Sequence, residues 1–445
     1  MKAVAPAVEE RTPRGIAAAI SRMITAGDLA PGDRLPTVRD LAAELGVSPA
    51  TVSHAWQTLA SAGLITSRGR SGSFVQSPVR EWMPRRYQGL DGHLAGRIDL
   101  SRGTPDPDLL PSLGPTLGRL SPRADTSSYQ QKPDIPELHD LLRATWPGLV
   151  ESLTVTNGAL DAIDRVFATM VRYGDRVAVE TPTFPPFIDL LEQYGLEPVG
   201  IELDAEGPRP ASFTAALARQ PALVLLQPRA QNPTGISTSA ERAGELAGIL
   251  SRSRVAGNAV VVEDDHSGPI SHAPDVSLAR WLPDRVLRVR SYSKSHGPDL
   301  RIGALGGPRT LIDRVVSRRL LGPGWTSRMT QTILYDLLTN PQSIAEVDAA
   351  RDTYAARQRA LSTALARHGV TLPARDGINA WMPVADERSA IVSLAGSGIL
   401  VAPGSPFQLR DAVMTDHVRV TVGMLRDDDD RDAVAAALAL ASTAS

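Results

Sequence analysis

The segment SYSKSHGPDLRIG, residues 291–303, does most to decide the fold of this chain. It follows the apolar run VLRV at 286–289, which predicts a short buried strand. Its Lys294 is one of only three lysines, whereas 44 of the 47 basic residues are arginine. Arginine cannot form an imine, but a desolvated lysine amine can. The segment therefore predicts a loop after a strand in which the amine of Lys294 carries chemistry. The alternative is a solvated lysine in a polar turn.

The composition is that of a globular protein without membrane segments. The 445 residues allow two to four domains, and 42% are hydrophobic and 22% charged. The net charge of −2 excludes a chain that is basic throughout, and the first 80 residues hold nine basic against six acidic residues. The chain has no cysteine, so disulfides and thiolate metal sites are excluded, and no metal site is predicted. We find no signal segment or membrane span and expect a cytoplasmic protein.

Short aliphatic runs alternate with amphipathic stretches from residue 98 onward. The alternation predicts an α/β domain with a mostly parallel sheet and helices on both faces. In such sheets ligands bind beyond the carboxyl ends of the strands. The predicted strands are residues 176–180, 222–226, 259–262 and 286–289.

Short motifs follow several of these strands: TNGAL at 156–160, PTFP at 182–185, QNPTG at 231–235 and EDDH at 263–266. Together with the lysine segment, and with GTPDP at 103–107 and VAPGS at 401–405, they resemble the fold type I aminotransferases. Enzymes of that family bind pyridoxal 5′-phosphate (PLP) as an imine. The resemblance covers residues 98–445 and implies the family's mostly parallel sheet with a smaller C-terminal α+β subdomain.

This resemblance implies that Lys294 forms the Schiff base with PLP. A carboxylate facing the pyridine nitrogen would keep that nitrogen protonated, so that the ring accepts electrons. The alignment gives this role to Asp264, and Asp265 remains an alternative.

The resemblance also implies contacts to the ring and its phenolic oxygen. The aromatic ring of Phe184 would stack on the pyridine, although a core phenylalanine is the alternative. Asn232 would donate to the phenolic oxygen. His266 stands where the family usually has tyrosine; it can still donate, but the change puts the imine pKa and turnover in question.

The phosphate of the cofactor is expected at the start of the helix that follows residues 156–158. Backbone amides at a helix N-terminus suit an anion, and arginine can pair with it through two hydrogen bonds. Leu160 departs from the polar residue that the family usually has. The residues implied for the phosphate are Gly158, Ala159, Ser291, Ser293 and Arg301.

Two further residues match family positions outside these motifs. Arg419, on the alternating run VRVTV at 418–422, matches the arginine that grips the carboxylate of the substrate; a surface arginine is the alternative. Tyr129 resembles a tyrosine that reaches the phosphate bound by the neighbouring subunit. Gln130 and Gln131 replace the Gly-Asp that follows this tyrosine in the family.

The N-terminal part has the pattern of a small helical module. Helices are predicted at 16–26, 37–45 and 48–62, with Thr37 and Ser48 as N-caps and Gly46 as a stop. Two short strands at 64–67 and 73–75 flank a basic, glycine-rich tip. Helices joined by a tight turn can place the second helix in the major groove of DNA.

The order and spacing of LPTVRDLA at 35–42, LGVS at 45–48 and TV at 51–52 resemble the GntR-type winged helix-turn-helix. Pro49 stands where many members carry arginine, so specificity must come from neighbouring residues or DNA shape. A small three-helix domain with incidental arginines is the alternative. The residues implied to contact DNA are Arg39, Ser48 and Thr51, the hairpin-tip residues Arg70 and Gly72, and by position Arg34, Ser53 and His54.

We therefore predict a winged-helix domain at residues 1–78, a linker at 79–97 and a PLP-binding domain at 98–445. This combination resembles the MocR family of bacterial transcription regulators. The resemblance implies a homodimer, often head to tail, that binds a double-stranded DNA operator and senses an amino compound or PLP itself. The alternatives are an active aminotransferase carrying a DNA-binding module, and a repressor without a cofactor. The retained Lys294, Asp264 and Arg301 argue against the repressor, and the departures at Gln130, Leu160 and His266 argue mildly against the enzyme.

Overall fold

The computed structural model describes residues 4–8, 10–30, 32–61, 64–67, 72–75, 98–119, 131–409, 416–426 and 430–444. Its contacts divide the chain into two compact units, Met1–Pro84 and Arg85–Ser445. The predicted domain boundaries at residues 78 and 97 stay predictions. No helix within the described ranges is both long and apolar enough to cross a membrane.

The N-terminal unit is a three-helix module with a β-hairpin. Its elements are α1 (Pro13–Thr25), α2 (Val38–Leu45), α3 (Pro49–Ser61), β1 (Ile65–Ser67) and β2 (Ser73–Val75). The two strands are antiparallel, with Ile65 opposite Val75. The helices pack around a core that includes Ile16, Leu41, Val52 and Trp56. The winged helix-turn-helix architecture is thus formed by the predicted segments.

Local signals explain where these helices begin and end. Thr37 caps α2, because its Oγ1 accepts from the backbone amide of Asp40 at 3.2 Å. Gly46 ends α2 with a φ of +65°, a left-handed conformation that favours glycine. Helix α1 begins three residues earlier than predicted, because Thr12 caps it and Pro13 takes its first position.

The larger unit is built on an eight-stranded sheet with the order β4-β11-β10-β9-β8-β5-β6-β7. The strands from β10 to β6 are parallel to their neighbours, whereas β11 and β7 are antiparallel to theirs. The mostly parallel sheet is therefore confirmed. Its strands are β4 (Ser152–Thr156), β5 (Arg176–Thr181), β6 (Glu197–Asp204), β7 (Gly207–Pro208), β8 (Leu223–Leu226), β9 (Val260–Asp265), β10 (Val286–Ser291) and β11 (Gly303–Gly307).

Helices cover both faces of this sheet. Along β5, Val177 and Val179 enter one core with Phe167, while Ala178 enters the opposite core with Phe213. Truncating a core phenylalanine such as Phe167 to alanine would cost about 3–5 kcal/mol. The helices are α4 (Leu113–Arg119), α5 (Pro136–Ala144), α6 (Ala159–Met170), α7 (Pro185–Gln193), α8 (Pro210–Ala218), α9 (Ala240–Arg252), α10 (Arg309–Arg319), α11 (Arg328–Thr339) and α12 (Pro341–Arg367).

A smaller α+β subdomain follows α12, as predicted. Its four-stranded sheet has the order β12-β14-β13-β3 and includes a strand from the start of the unit. Ile98 of β3 pairs with Ile399 of β13 in parallel. The elements are β3 (Ile98–Leu100), β12 (Ala380–Pro383), α13 (Glu387–Gly396), β13 (Ile399–Pro403), β14 (His417–Val420) and α14 (Arg431–Ser442).

Candidate functional site

The predicted reactive lysine lies three residues beyond the carboxyl end of β10. Lys294 is partly buried, and its Nζ donates a hydrogen bond to the carbonyl oxygen of Gly103. Burial, with a contribution from the nearby Arg419, lowers the pKa of Lys294 to about 8. A lowered pKa leaves more of the amine unprotonated, which is the nucleophilic form.

Strand β9 runs through the acidic residues, whereas the sequence placed them after the strand. Because alternate residues of a strand point to opposite faces, Asp264 and Asp265 face different surroundings. Asp265 accepts from Arg229 Nε at 3.0 Å and from Arg288 Nη2 at 3.2 Å. Burial opposes ionisation, but these two arginines hold the pKa of Asp265 well below its usual range. Asp265 is therefore committed to an ion-pair network.

Asp264 has a different environment and one unpartnered oxygen. Its Oδ2 accepts from Gln227 Nε2 at 2.8 Å, and its buried Oδ1 has no hydrogen-bond partner among the described residues. Burial raises the pKa of Asp264 to about 7. A protonated ring nitrogen beside Oδ1 would supply both a donor and a compensating charge, so the surroundings favour Asp264 over Asp265 for this role.

Two further buried polar atoms, both on residues predicted for the site, have no hydrogen-bond partner in the described parts of the chain. They are Oδ1 of Asn232 and Nδ1 of His266. The Nε2 atom of His266 lies 3.2 Å from Oγ of Ser267. Burial lowers the pKa of His266 to about 4, so its imidazole is neutral at neutral pH. Buried polar groups are normally hydrogen-bonded, and these atoms suit a ligand that carries polar groups.

Phe184 precedes α7, and its ring meets Phe187 edge-on, with the centroids 5.4 Å apart. The ring is only partly buried. The stacking of Phe184 on the pyridine ring of PLP stays a prediction.

The residues predicted for the phosphate meet at the start of α6. Gly158 precedes the helix with a φ of +100°, and a Cβ atom there would lie 3.3 Å from Nη2 of Arg301. Gly303 pairs with Ser291 across β10 and β11, and a Cβ on Gly303 would lie 3.2 Å from the amide of Ala159. The helix amides and the guanidinium of Arg301 thus share one corner, which suits an anion.

Two of the three serines in residues 291–303 were predicted to hold the phosphate, and Ser291 pairs with Gly303 beside this corner. Oγ of Ser291 accepts from the backbone amide of Ser293 at 3.3 Å. Ser291 is buried and Ser293 is partly buried. Tyr129, the remaining residue predicted for the phosphate, lies outside the described residues.

Arg419 lies on β14, almost fully buried at 1% exposure. Its Nη2 donates to the carbonyl oxygen of Ser101, and its guanidinium carbon lies 5.0 Å from the ring centroid of Phe407. Among the described residues no carboxylate pairs with it, and its Nε has no partner. Burial lowers the pKa of Arg419 to about 9. Lys294 and Arg419 both bond to the backbone of residues 101–103, so the structure brings the two groups together.

The residues predicted to contact DNA lie in the N-terminal unit. Arg39, Ser48 and His54 are exposed, and Thr51 and Ser53 are partly exposed. Oγ of Ser48 accepts from the amide of Thr51 at 3.2 Å and so caps α3.

The hairpin brings two further members of that set together. Arg34 forms a bridge with Phe74, and a Cβ atom on Gly72 would lie 3.0 Å from Nε of Arg34. Arg70 lies outside the described residues. The DNA-binding roles stay predictions.

Known proteins resemble both units. The model of the family "Aminotransferase class I and II" matches residues 97–438, and that of "Bacterial regulatory proteins, gntR family" matches residues 12–75. The vitamin B6 salvage pathway transcriptional repressor PtsJ of Salmonella typhimurium is 35% identical over 427 residues, covering 95% of this chain and 96% of PtsJ. The chain belongs to the MocR-type transcription regulators.

Other similarities agree with this family. The HTH-type transcriptional regulator TauR of Rhodobacter capsulatus is 27% identical to the MocR-type chain, covering 87% of it and 88% of TauR. The solved kynurenine aminotransferase of Pyrococcus horikoshii has a TM-score of 0.68 at 21% identity, covering 77% of this chain and 90% of its own. The α-aminoadipate aminotransferase LysN of Thermus thermophilus has a TM-score of 0.69 at 21% identity, covering 81% and 94%. At these identities the two enzymes show the fold.

Family membership confirms the predicted architecture of the MocR-type regulator. It also confirms PLP as its cofactor, because the aminotransferase model covers residues 97–438. The roles of individual residues toward PLP, a ligand and DNA stay predictions.

Sequence reasoning missed two buried residues of the regulator. Gln227 follows β8 and bonds to Asp264 as well as to the loop that holds Asn232. Glu180, near the end of β5, accepts from the amide of Gln227 at 3.0 Å. A signal for Glu180 was present, because a carboxylate at the end of a buried strand is costly unless it is partnered.

Proposed function

We propose that this regulator binds PLP through Lys294 and changes its affinity for DNA when a small ligand occupies the same site. The observation that supports this proposal most directly is that three buried atoms have no hydrogen-bond partner among the described residues. They are Oδ1 of Asp264, Oδ1 of Asn232 and Nδ1 of His266. A protonated ring nitrogen would donate to Oδ1 of Asp264, and a phenolic oxygen would accept from Nδ1 of His266. The same oxygen would accept from the Asn232 side chain once its amide nitrogen is turned toward it. Leaving buried polar atoms unpartnered would cost about 1–3 kcal/mol each.

Each side chain has a distinct task in this proposal. Lys294 binds the aldehyde carbon, and Asp264 holds a proton at the ring nitrogen. Asn232 donates to the phenolic oxygen through its amide once the amide is oriented for that contact. His266 is neutral, so it donates through Nδ1 without adding charge. When bound, PLP would supply an aldehyde group that reacts with primary amines, and Lys294 would provide the amine of the chain that holds it.

The phosphate would be held by the corner at the start of α6. The amide of Ala159 and the guanidinium of Arg301 converge there, and Gly158 leaves room for an oxygen atom to approach the backbone. Ser291 pairs with Gly303 beside this corner, and the backbone amide of Ser293 donates to Oγ of Ser291. Phe184 would stack on the ring, and Tyr129 would contribute from a partner subunit in a head-to-tail homodimer.

Arg419 supports an amino compound with a carboxylate as the ligand. A buried guanidinium without a carboxylate partner is costly, and a ligand carboxylate would relieve that cost. The adjacent Lys294 places the amine-binding position beside the carboxylate-binding position. An α-amino acid carries both an amine and a carboxylate.

PLP itself is a second candidate effector. The observation that favours it is the 35% identity with PtsJ, whose name describes a repressor of the vitamin B6 salvage pathway. In that case occupation of the Lys294 site by PLP would alone change DNA binding. An active aminotransferase with a DNA-binding module is the alternative from another class.

The N-terminal unit would bind a double-stranded DNA operator in the cytoplasm. Helix α3 would enter the major groove of the operator. The residues at the start of this helix that would contact the DNA are Ser48, Thr51, Ser53 and His54. Arg39 would contact the DNA from α2. Arg34, Gly72 and Arg70 would bring the hairpin to the minor groove. Whatever the ligand, it can regulate only if it binds two arrangements of the protein with different affinities.

A single preparation of the full chain tests these possibilities. Its visible spectrum is recorded with PLP, and amino acids and amines are then titrated into it. In parallel, its affinity is measured for double-stranded DNA selected from a random library. If the chain is a sensor, we expect its DNA affinity to depend on the ligand without multiple turnovers of transamination. Rapid transamination with unchanged DNA affinity would identify the enzyme instead, and a chain that binds no PLP would overturn the proposal.

A further inference from the structure

Gln227 lies immediately after β8 and is buried between two residues that the proposed function assigns to two different atoms of PLP, the ring nitrogen and the phenolic oxygen. Its Nε2 donates to Oδ2 of Asp264 at 2.8 Å. Its Oε1 accepts from the backbone amide of Asn232 at 3.0 Å. Both polar atoms of one amide are thus used, one on the carboxylate for the ring nitrogen and one on the loop for the phenolic oxygen.

The position of Gln227 is itself fixed by a second buried carboxyl group. Oε2 of Glu180 accepts from the backbone amide of Gln227 at 3.0 Å. Gln231, which also bonds to Glu180, donates to the carbonyl oxygen of Pro182 at 2.8 Å. Glu180, Gln227, Gln231 and Asp264 are all at most 3% exposed. Solvent therefore cannot replace these hydrogen bonds.

We propose that Gln227, held by Glu180, is a positioning residue that orients Asp264 toward the ring nitrogen and Asn232 toward the phenolic oxygen of PLP. This inference rests on the proposed function. Because Oδ2 of Asp264 is occupied by Gln227, Oδ1 is the oxygen left to face the ring. The backbone amide of Asn232 bonds to the same Gln227 side chain. The contacts of Asp264 with the ring nitrogen and of Asn232 with the phenolic oxygen would therefore keep a fixed spacing.

The amide is the side chain that suits this position. A glutamate would keep an acceptor for Asn232 but would lose the donor to Asp264 and bring two acidic groups together. A methionine of similar length would lose both bonds. An asparagine would keep the amide but is one methylene too short to reach both partners.

The test compares PLP with its deaza analogue, in which a carbon and its hydrogen replace the ring nitrogen. Dissociation constants are measured by fluorescence for the full chain and for Gln227→Met. Losing a hydrogen bond to a charged group should weaken PLP binding by about tenfold to hundredfold. The loss should be at least several-fold smaller for the deaza analogue, because the interaction through Asp264 to the ring nitrogen is already absent.

Gln331→Met is the matched control. Gln331 is a buried glutamine whose Nε2 donates to the carbonyl oxygens of Pro133 and Thr326, and whose Oε1 accepts from the amide of Ile135. This variant should lose stability without discriminating between PLP and the deaza analogue. If Gln227→Met does not fold, Gln227→Leu serves instead, because it also loses both bonds and the same discrimination is expected.

The outcomes separate the inference from the proposed function. Equal losses of PLP and deaza affinity in Gln227→Met, or no loss at all, would overturn the role of Gln227 while PLP binding by the unaltered chain stands. Failure of the unaltered chain to bind PLP would overturn the proposed function itself.

Discussion

Arg419 should make the regulator less stable, although the proposed function gives it the role of binding the ligand carboxylate. The side chain is 1% exposed, and none of the described carboxylates pairs with it. Burial lowers its pKa to about 9, so it remains charged at neutral pH. A cation whose pKa is lowered by folding destabilises the folded state below that pKa, and the penalty disappears only above the ordinary pKa of arginine.

The size of the effect can be worked out from these contacts. The gap between a pKa of about 9 and the ordinary value for arginine corresponds to about 5 kcal/mol, at about 1.36 kcal/mol for each pKa unit. Arg419→Met would remove this penalty. It would also remove the hydrogen bond to Ser101, about 1.5–3 kcal/mol, and the contact with the Phe407 ring, about 1 kcal/mol. The variant should therefore be about 1–2.5 kcal/mol more stable at neutral pH.

The assay is calorimetric unfolding of the full chain at neutral pH, with DNA affinity measured on the same samples. Arg419→Met should raise the Tm of the larger unit by a few degrees. It should also abolish the effect of carboxylated ligands on DNA affinity while PLP still binds. A variant that is less stable than the unaltered chain and still responds to carboxylated ligands would refute both parts of the reasoning.

Four further predictions follow from the structure. Lys294→Ala should prevent borohydride from fixing PLP to the chain, as peptide mapping would show. Calorimetry should find its free energy of unfolding within about 1 kcal/mol of that of the unaltered chain. Arg39→Ala should weaken DNA binding by about 1–3 kcal/mol if it contacts a base edge, and salt titrations should show a steep loss of affinity for the unaltered chain; unchanged binding would refute the assignment. Gly103→Ala should reduce the response to carboxylated ligands, because its Cβ would lie 2.8 Å from Nη1 of Arg419 and its φ is +63°; an unaltered response would contradict this. Burial raises the pKa of Glu180 from 4.5 to about 8, so its contribution to stability is present below pH 4.5 and is lost as the pH rises through about 8; Glu180→Gln should flatten the Tm-against-pH curve in that window, and an identical curve would exclude a proton on Glu180.

The local architecture was largely readable from the sequence. Thr37 and Gly46 mark the ends of α2 because a hydroxyl cap and a left-handed glycine act within a few residues. The aliphatic strands and the order of the motifs likewise gave the α/β fold. The pairing of Ile98 with Ile399 was not predictable, because contacts between residues so distant in sequence leave no periodic signal.

The sequence predicted most residues of the candidate site but not all of their hydrogen bonds. The choice between Asp264 and Asp265 depended on how far β9 extends. Once the strand runs to Asp265, alternation puts the two carboxylates on opposite faces. Gln227 was missed because a glutamine after a strand carries no signal of its own, and only its two partners reveal its position.

The central claim is that occupation of the Lys294 site changes the affinity of the full chain for DNA. The most direct measurement is the dissociation constant for a selected DNA duplex, by fluorescence anisotropy, with PLP alone, with PLP and a panel of amino acids, and without either. We expect a change of about 5-fold to 150-fold with the effective ligand, equivalent to about 1–3 kcal/mol. Lys294→Ala should lose this change but keep its DNA binding. The same dissociation constant under all three conditions would contradict a regulatory role for the Lys294 site.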